Sequence, residues 1–150
     1  MTKVNLDKLQ AKSNGNIETV IAGTELGNGA LVALGERKGR EAMEAVAPSN
    51  TAELLLVAAP EVQYDETKDQ LDITTPAGKE VRAYHLTEGD LFQVEKALFD
   101  APASVGDVVT GNADYGYTAN VDSRTTFKVD AETKFGHDRR DMYLLRVLTV

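Results

Sequence analysis

The sequence predicts an all-β fold, a small antiparallel β-barrel or sandwich with an extended N-terminal arm. Three observations predict it. Short runs of β-forming residues recur about every ten residues, bounded by Gly, Pro, Asn and Asp. Where a run is half-buried it alternates, as Phe127, Val129 and Ala131 do against Thr126, Lys128 and Asp130. The most apolar run, residues 53–59, is too short for a helix and a proline (Pro60) closes it, as for a buried strand.

The chain has 150 residues, which suits one domain or one domain plus an arm. We divide it into an arm, residues 1–15, and a single β-rich domain, residues 16–150. The arm is polar and carries Lys3, Lys8 and Lys12 against Asp7. Its apolar side chains Val4 and Leu6 alternate as in a strand, while Leu6 and Leu9 are spaced as on a helix. Two readings stay open: a frayed terminus, or a segment that orders on a partner by adding a strand or docking Val4, Leu6 and Leu9.

The body opens with two apolar runs, residues 17–22 and 30–34. Gly27-Asn28-Gly29 lies between them and is suited to a tight turn, so the stretch reads as a hairpin that ends at Gly35. The same triplet begins like a dinucleotide fingerprint. It lacks the third glycine, and a β-forming run follows where a helix N-terminus would have to supply amide donors. Residues 37–40 form a charged turn. Residues 41–47 have good helix propensity but are short and closed by Pro48, which leaves a strand or an irregular segment.

Residues 63–71 read as an acidic loop, and 71–75 as a short strand before the turn Pro76-Ala77-Gly78-Lys79. A strand follows over residues 81–86. The turn Glu88-Gly89-Asp90 leads into Leu91-Phe92-Gln93-Val94, and Gly106-Asp107 leads into Val108-Val109-Thr110, the same pattern of Gly-Asp before β-formers. Residues 112–122 are rich in Gly, Asn, Asp and Tyr and read as a surface loop. The last strand covers residues 142–150.

Composition narrows the function classes. Lys and Arg number 16 against 24 Asp and Glu, for a net charge of −8, which argues against non-specific nucleic-acid binding and favours solubility or a basic protein partner. There is no cysteine, hence no disulfide, thiolate chemistry or Cys-based metal site. No apolar run approaches the ~20 residues that span a membrane. The N-terminus lacks an apolar signal core, so the expectation is synthesis in a cytoplasm without export by the usual route.

No catalytic set stands out. His85 and His137 are isolated and make no metal-ligand spacing. Asn112, Asp114, Asn120 and Asp122 carry oxygen ligands suited to Ca²⁺ but miss the EF-hand spacing. Carboxylate pairs such as Glu41/Glu44 and Asp65/Glu66 are ordinary in so acidic a chain, Arg139-Arg140-Asp141 reads as a charged turn, and no GxSxG is present. Tyr115 and Tyr117 are either interface anchors or plain loop aromatics. The expectation is a non-enzymatic protein that needs no cofactor and no metal.

The order of segments carries a resemblance. Asn16-Ile17-Glu18 leads to Gly27-Asn28-Gly29-Ala30-Leu31-Val32-Ala33-Leu34-Gly35. Then come Glu44-Ala45-Val46-Ala47-Pro48, Leu56-Val57-Ala58-Ala59-Pro60-Glu61-Val62, Tyr64-Asp65-Glu66 and Ala77-Gly78-Lys79. Arg82-Ala83-Tyr84, Leu86, Gly89-Asp90-Leu91-Phe92-Gln93-Val94 and Val105-Gly106-Asp107-Val108-Val109 complete the series. Over residues 16–110 this resembles the small head decoration (cement) proteins of tailed bacteriophages. The resemblance implies a structural virion protein on the outer surface of the capsid, made in the host bacterial cytoplasm. Its partners would be the major capsid protein and, by self-association, further copies of itself. It implies no catalytic residue, no nucleic acid and no membrane. Val4, Leu6, Leu9, Tyr115 and Tyr117 are the residues expected at capsid or subunit contacts. The alternative is a small non-enzymatic β-barrel that recognises carbohydrate or peptide; a hydrolase on a β-scaffold is the third reading and needs carboxylates converging in a cleft.

Overall fold

A computed structural model of the chain describes residues 4–9, 17–39, 42–58, 74–119, 122–135 and 140–150. The fold is all-β, a closed barrel packed on an open sheet. The strands are β1 (Val4–Lys8), β2 (Ile17–Ala22), β3 (Leu26–Gly27), β4 (Leu31–Lys38), β5 (Ala42–Val46), β6 (Leu54–Val57), β7 (Thr74–Thr75), β8 (Glu80–Tyr84), β9 (Leu91–Glu95), β10 (Val108–Gly111), β11 (Tyr117–Ala119), β12 (Thr126–Phe135) and β13 (Arg140–Thr149). One 3-10 turn, Lys96–Leu98, follows β9.

The barrel runs β2-β5-β4-β6-β8 and closes where β8 meets β2. An odd ring cannot be wholly antiparallel, because five successive reversals do not return the starting direction. The one parallel pair is β2 with β5. The hairpin expected over residues 17–34 is therefore not a hairpin. Its two strands exist, but β5 lies between them, and the connection carries β3, which pairs with β7 instead. The ambiguous segment 41–47 is strand over Ala42–Val46.

Gly35 does not stop β4. The register shifts between Leu34 and Arg37 and the strand goes on to Lys38. A side chain at Gly35 would meet Val46 Cγ1 at 2.9 Å, so the glycine marks a close backbone approach at an irregularity, not an end.

The remaining strands form a six-stranded antiparallel sheet, β1-β9-β13-β12-β10-β11. β12 and β13 form its central hairpin, and the flanks repeat each other. Thr87-Glu88-Gly89-Asp90 and Ser104-Val105-Gly106-Asp107 fold into the same turn. In each, the Asp amide donates to the Thr or Ser carbonyl, at 3.0 Å in both. In each, the Asp Oδ2 accepts from the Thr87 or Ser104 amide at 2.8 Å. Gly89 (φ +90°) and Gly106 (φ +96°) take the turn position that requires positive φ. Each turn then docks on a β12–β13 strand: Gly89 and Asp90 on Val147, Gly106 and Asp107 on Val129.

The arm expected over residues 1–15 is, over Val4–Lys8, the edge strand of this sheet. It pairs with β9, Val4 opposite Val94. Val4 and Leu9 are each 5% exposed and belong to the core, and Leu6 packs against it. The reason is burial: these apolar residues, few in a polar stretch, cover the flank of β9 in their own chain.

Alternation along β4 and β6 explains their continuous apolar runs. Leu31, Ala33, Leu54 and Leu56 face the sheet, together with Phe92, Val94, Phe127, Val129, Leu145 and Val147. Val32, Leu55 and Val57 face the other way, into the barrel, with Val20, Ala45, Val81 and Ala83. Over Leu31–Ala33 and Leu54–Val57 both faces are buried, so these runs need no polar face.

Candidate functional site

The barrel has one polar end built by parity. Glu18, His85 and Glu53 continue the inward-facing positions of β2, β8 and β6, and they meet at one mouth. His85 Nε2 lies 3.2 Å from Glu18 Oε1, and Nδ1 lies 3.5 Å from Glu53 Oε1. A carboxylate only accepts, so both bonds form together only when the ring carries both protons. The carboxylates sit on opposite ring nitrogens and do not converge on a common ion. Among the described residues no group of three or more His, Asp or Glu side chains is placed to hold a metal. The arrangement is a strut across the barrel mouth. His137, the second histidine considered, lies outside the described residues.

Tyr117 is not an interface anchor. It is completely buried in β11, and its hydroxyl donates to the Gly29 carbonyl at 2.8 Å. Its ring stacks on Phe99 (4.9 Å between centroids, 13° between planes) and meets Phe127 edge-on at 6.0 Å. Burial pushes the Tyr117 phenol well above the usual tyrosine range. The ring therefore ties the sheet to the turn before β4 and is closed to a sugar or a partner.

Tyr115 is half-buried against the barrel core, and its carbonyl accepts from the Leu31 amide at 3.0 Å. The expected surface loop 112–122 is thus part strand. Asn112 organises its start: Oδ1 accepts from the Asp114 and Gly116 amides at 2.9 and 3.0 Å, and Nδ2 donates to the Tyr117 carbonyl. An oxygen so engaged is a turn-former, not a calcium ligand; Asn120 lies outside the described residues.

Gly27-Asn28-Gly29 makes the expected turn, with the Ala30 amide donating to the Gly27 carbonyl. The Gly29 amide donates to Val57, so that donor is not available to a phosphate.

A feature with room for a ligand lies at the β10–β11 end of the sheet. A groove of about 610 Å³ runs between residues 99–103 and the two strands, lined chiefly by Phe99, Asp100, Pro102, Ala103, Val108 and Thr118. Its wall is held in place. The Tyr143 hydroxyl donates to the Ala103 carbonyl at 2.9 Å and accepts from the Ala103 amide at 3.0 Å. The Tyr143 ring meets Phe99 at 4.7 Å, and Lys96 Nζ sits 4.9 Å from its centroid. A hydrogen bond to Glu132 raises the Lys96 ammonium above its ordinary value and fixes that cation over the ring. Beside the groove, Val105 and Val108 are 59% and 36% exposed, the exposed large hydrophobics among the described residues.

Of the contact residues expected from sequence, Val4, Leu9 and Tyr117 are brought together in the core, Leu6 packs against that core, and Tyr115 lies apart against the barrel. Sequence reasoning missed Phe99, Val105 and Val108. One signal for them was present: the second Gly-Asp turn carries Val105 where its counterpart carries Glu88. No helix among the described residues is long and apolar enough to cross a membrane. No protein-family model, no curated protein and no solved structure matches the chain.

Proposed function

We propose that the protein is a head decoration protein of a tailed bacteriophage. It binds the outer surface of the assembled capsid and stabilises contacts between major capsid protein subunits, as a non-enzymatic virion component. The observation that carries this reading is the ordered series of segments over residues 16–110. The barrel-on-sheet body supports it, because a tightly packed small domain suits a passive clamp. The acidic charge supports it too, since it favours a soluble protein with a basic partner surface.

The chemistry required is modest. A ligand that binds the assembled shell and not its alternatives stabilises the shell by mass action. An ordinary interface buries ~800 Å² on each partner. Repeated over every copy on a shell, such contacts oppose the outward pressure of packaged DNA without any catalytic step.

The test is co-sedimentation of the purified full chain with capsid shells of tailed phages. Saturable binding, and shells that withstand higher temperature once loaded, are expected. Absence of binding to every shell tried overturns the proposal. Deleting residues 1–15 is a poor probe of docking, because Val4–Lys8 is a strand of the sheet and its loss would disturb the fold.

A further inference from the structure

The two flanks of the six-stranded sheet are copies in backbone but not in surface. Their turns share the hydrogen bonds described above, and the strands that follow share a register. Leu91 lies opposite Arg146, and Val108 opposite Lys128; Phe92 lies opposite Leu145, and Val109 opposite Phe127. The turn position occupied by exposed Glu88 on one flank is occupied by Val105 on the other, at 59% exposure. Leu91, the first strand residue on the first flank, is half-buried and pairs in register with Lys8 of β1. Its counterpart Val108 is 36% exposed and borders the groove. The flank that β1 covers has a polar turn. The other flank has an apolar turn and a cavity beside it.

Charge sets what can enter. Among the described residues the groove lining carries two carboxylates, Asp100 and Asp107, and no Lys or Arg; Lys128, across from Val108, is not among them. One oxygen of Asp107 is used by the Ser104 amide. The chain as a whole carries a net charge of −8. The remaining walls are apolar or small: Phe99, Ala101, Pro102, Ala103, Val108 and Ala119.

We propose that this groove is a docking site for an extended segment of a partner protein in which apolar side chains alternate with Lys or Arg. The apolar side chains cover Val108, Pro102 and Ala103, and a cation faces Asp100 and Asp107. Assigning the segment to the major capsid protein rests on the proposed function; the chemistry of the groove does not.

The probe is a capped peptide, acetyl-Lys-Val-Lys-Val-Lys-amide, titrated into the ¹⁵N-labelled full chain and followed by amide chemical shifts. Saturable shifts confined to residues 99–109 and 117–119 are expected, weakening as salt is added. Val108→Lys is expected to weaken binding at least tenfold. Asp100→Asn, an exposed and conservative change, is expected to weaken it severalfold and flatten its salt dependence. Val105→Glu installs the residue of the sister turn and keeps the fold as a control. Absence of saturable shifts, shifts centred elsewhere, or equal binding of acetyl-Glu-Val-Glu-Val-Glu-amide overturns the proposal. If the peptide binds here but no shell does, the decoration reading falls and the groove stands. If shells bind Val108→Lys and Asp100→Asn undiminished, the groove is overturned as their contact.

Discussion

The barrel and the sheet solve the burial problem with different side chains. The barrel interior is lined by Val20, Ala22, Val32, Ala45, Leu55, Val57, Val81 and Ala83 and, among the described residues, holds no fully buried aromatic. The space between barrel and sheet holds Phe92, Tyr117, Phe127 and Tyr143, with Phe99 partly buried beside them. The reason is geometric. An eight-stranded barrel is just wide enough inside for side chains to fill, so a five-stranded ring is narrower and suits aliphatic side chains better than rings. A layer between two β units is about 10 Å thick and needs long side chains to fill it. Closure also removes edges from the barrel, while the sheet keeps two, at β1 and β11. The recognition surface proposed above lies at the open unit, where large rings brace an accessible groove.

The sharpest way to break this comparison is to empty the aromatic layer. Phe127→Ala removes a completely buried ring that contacts both Phe92 and Tyr117. It should cost about 3–5 kcal/mol of unfolding free energy by chemical denaturation. Overfilling the barrel is the mirror experiment. Ala83→Leu places extra methylenes in the narrow ring and should cost about 1–3 kcal/mol, whereas a barrel with spare volume would tolerate it.

The duplicated turns permit a finer contrast. Asp90 is buried and Asp107 exposed, yet each accepts from the backbone amide three residues earlier. Asp90→Ala should cost about 1–2 kcal/mol and Asp107→Ala less than half of that, because the bond lost is part-buried in the first turn and exposed in the second. Equal costs would show that burial of the turn is irrelevant to its strength.

A similarly small effect at neutral pH belongs to the hydroxyl linking the two units. Tyr117→Phe deletes the bond to Gly29 and should cost about 1 kcal/mol. Its signature lies in alkali. Folded Tyr117 keeps its proton above the usual tyrosine value of 10.0, because burial penalises the phenolate. The group's contribution is fully present below about pH 10 and is lost as pH rises further, as the unfolded state ionises first. The wild type should thus lose stability above pH 10 more steeply than Tyr117→Phe in parallel melts. At the acid end, Lys134 beside Asp141 lowers that carboxyl, so its small exposed contribution disappears only as pH falls below the carboxylate range.

Elements whose evidence is local were readable in the chain. The alternation in β12, the apolar runs of β4 and β6 and the Gly-Asp turns all depend on neighbours in sequence. The pairing of Val4–Lys8 with β9 is not legible in the chain, because Val94, opposite Val4, is a partner that no local pattern reveals. Tyr117 was placed in a surface loop because its surroundings are Gly, Asn and Asp, and its burial comes from Phe99, Phe127 and Gly29. The strut of Glu18, His85 and Glu53 was invisible for the same reason: its members lie on three separate segments.

The sequence by itself determined the class of fold, since period-2 alternation, short apolar runs and glycine turns leave the backbone little choice but strand and turn. Tertiary structure alone decided the strand order, the parallel pair of β2 with β5, the capture of Val4–Lys8 as an edge strand and the opening beside Val108. Each of these depends on which distant surfaces bury one another best, a free energy that belongs to the whole chain and not to any stretch of it.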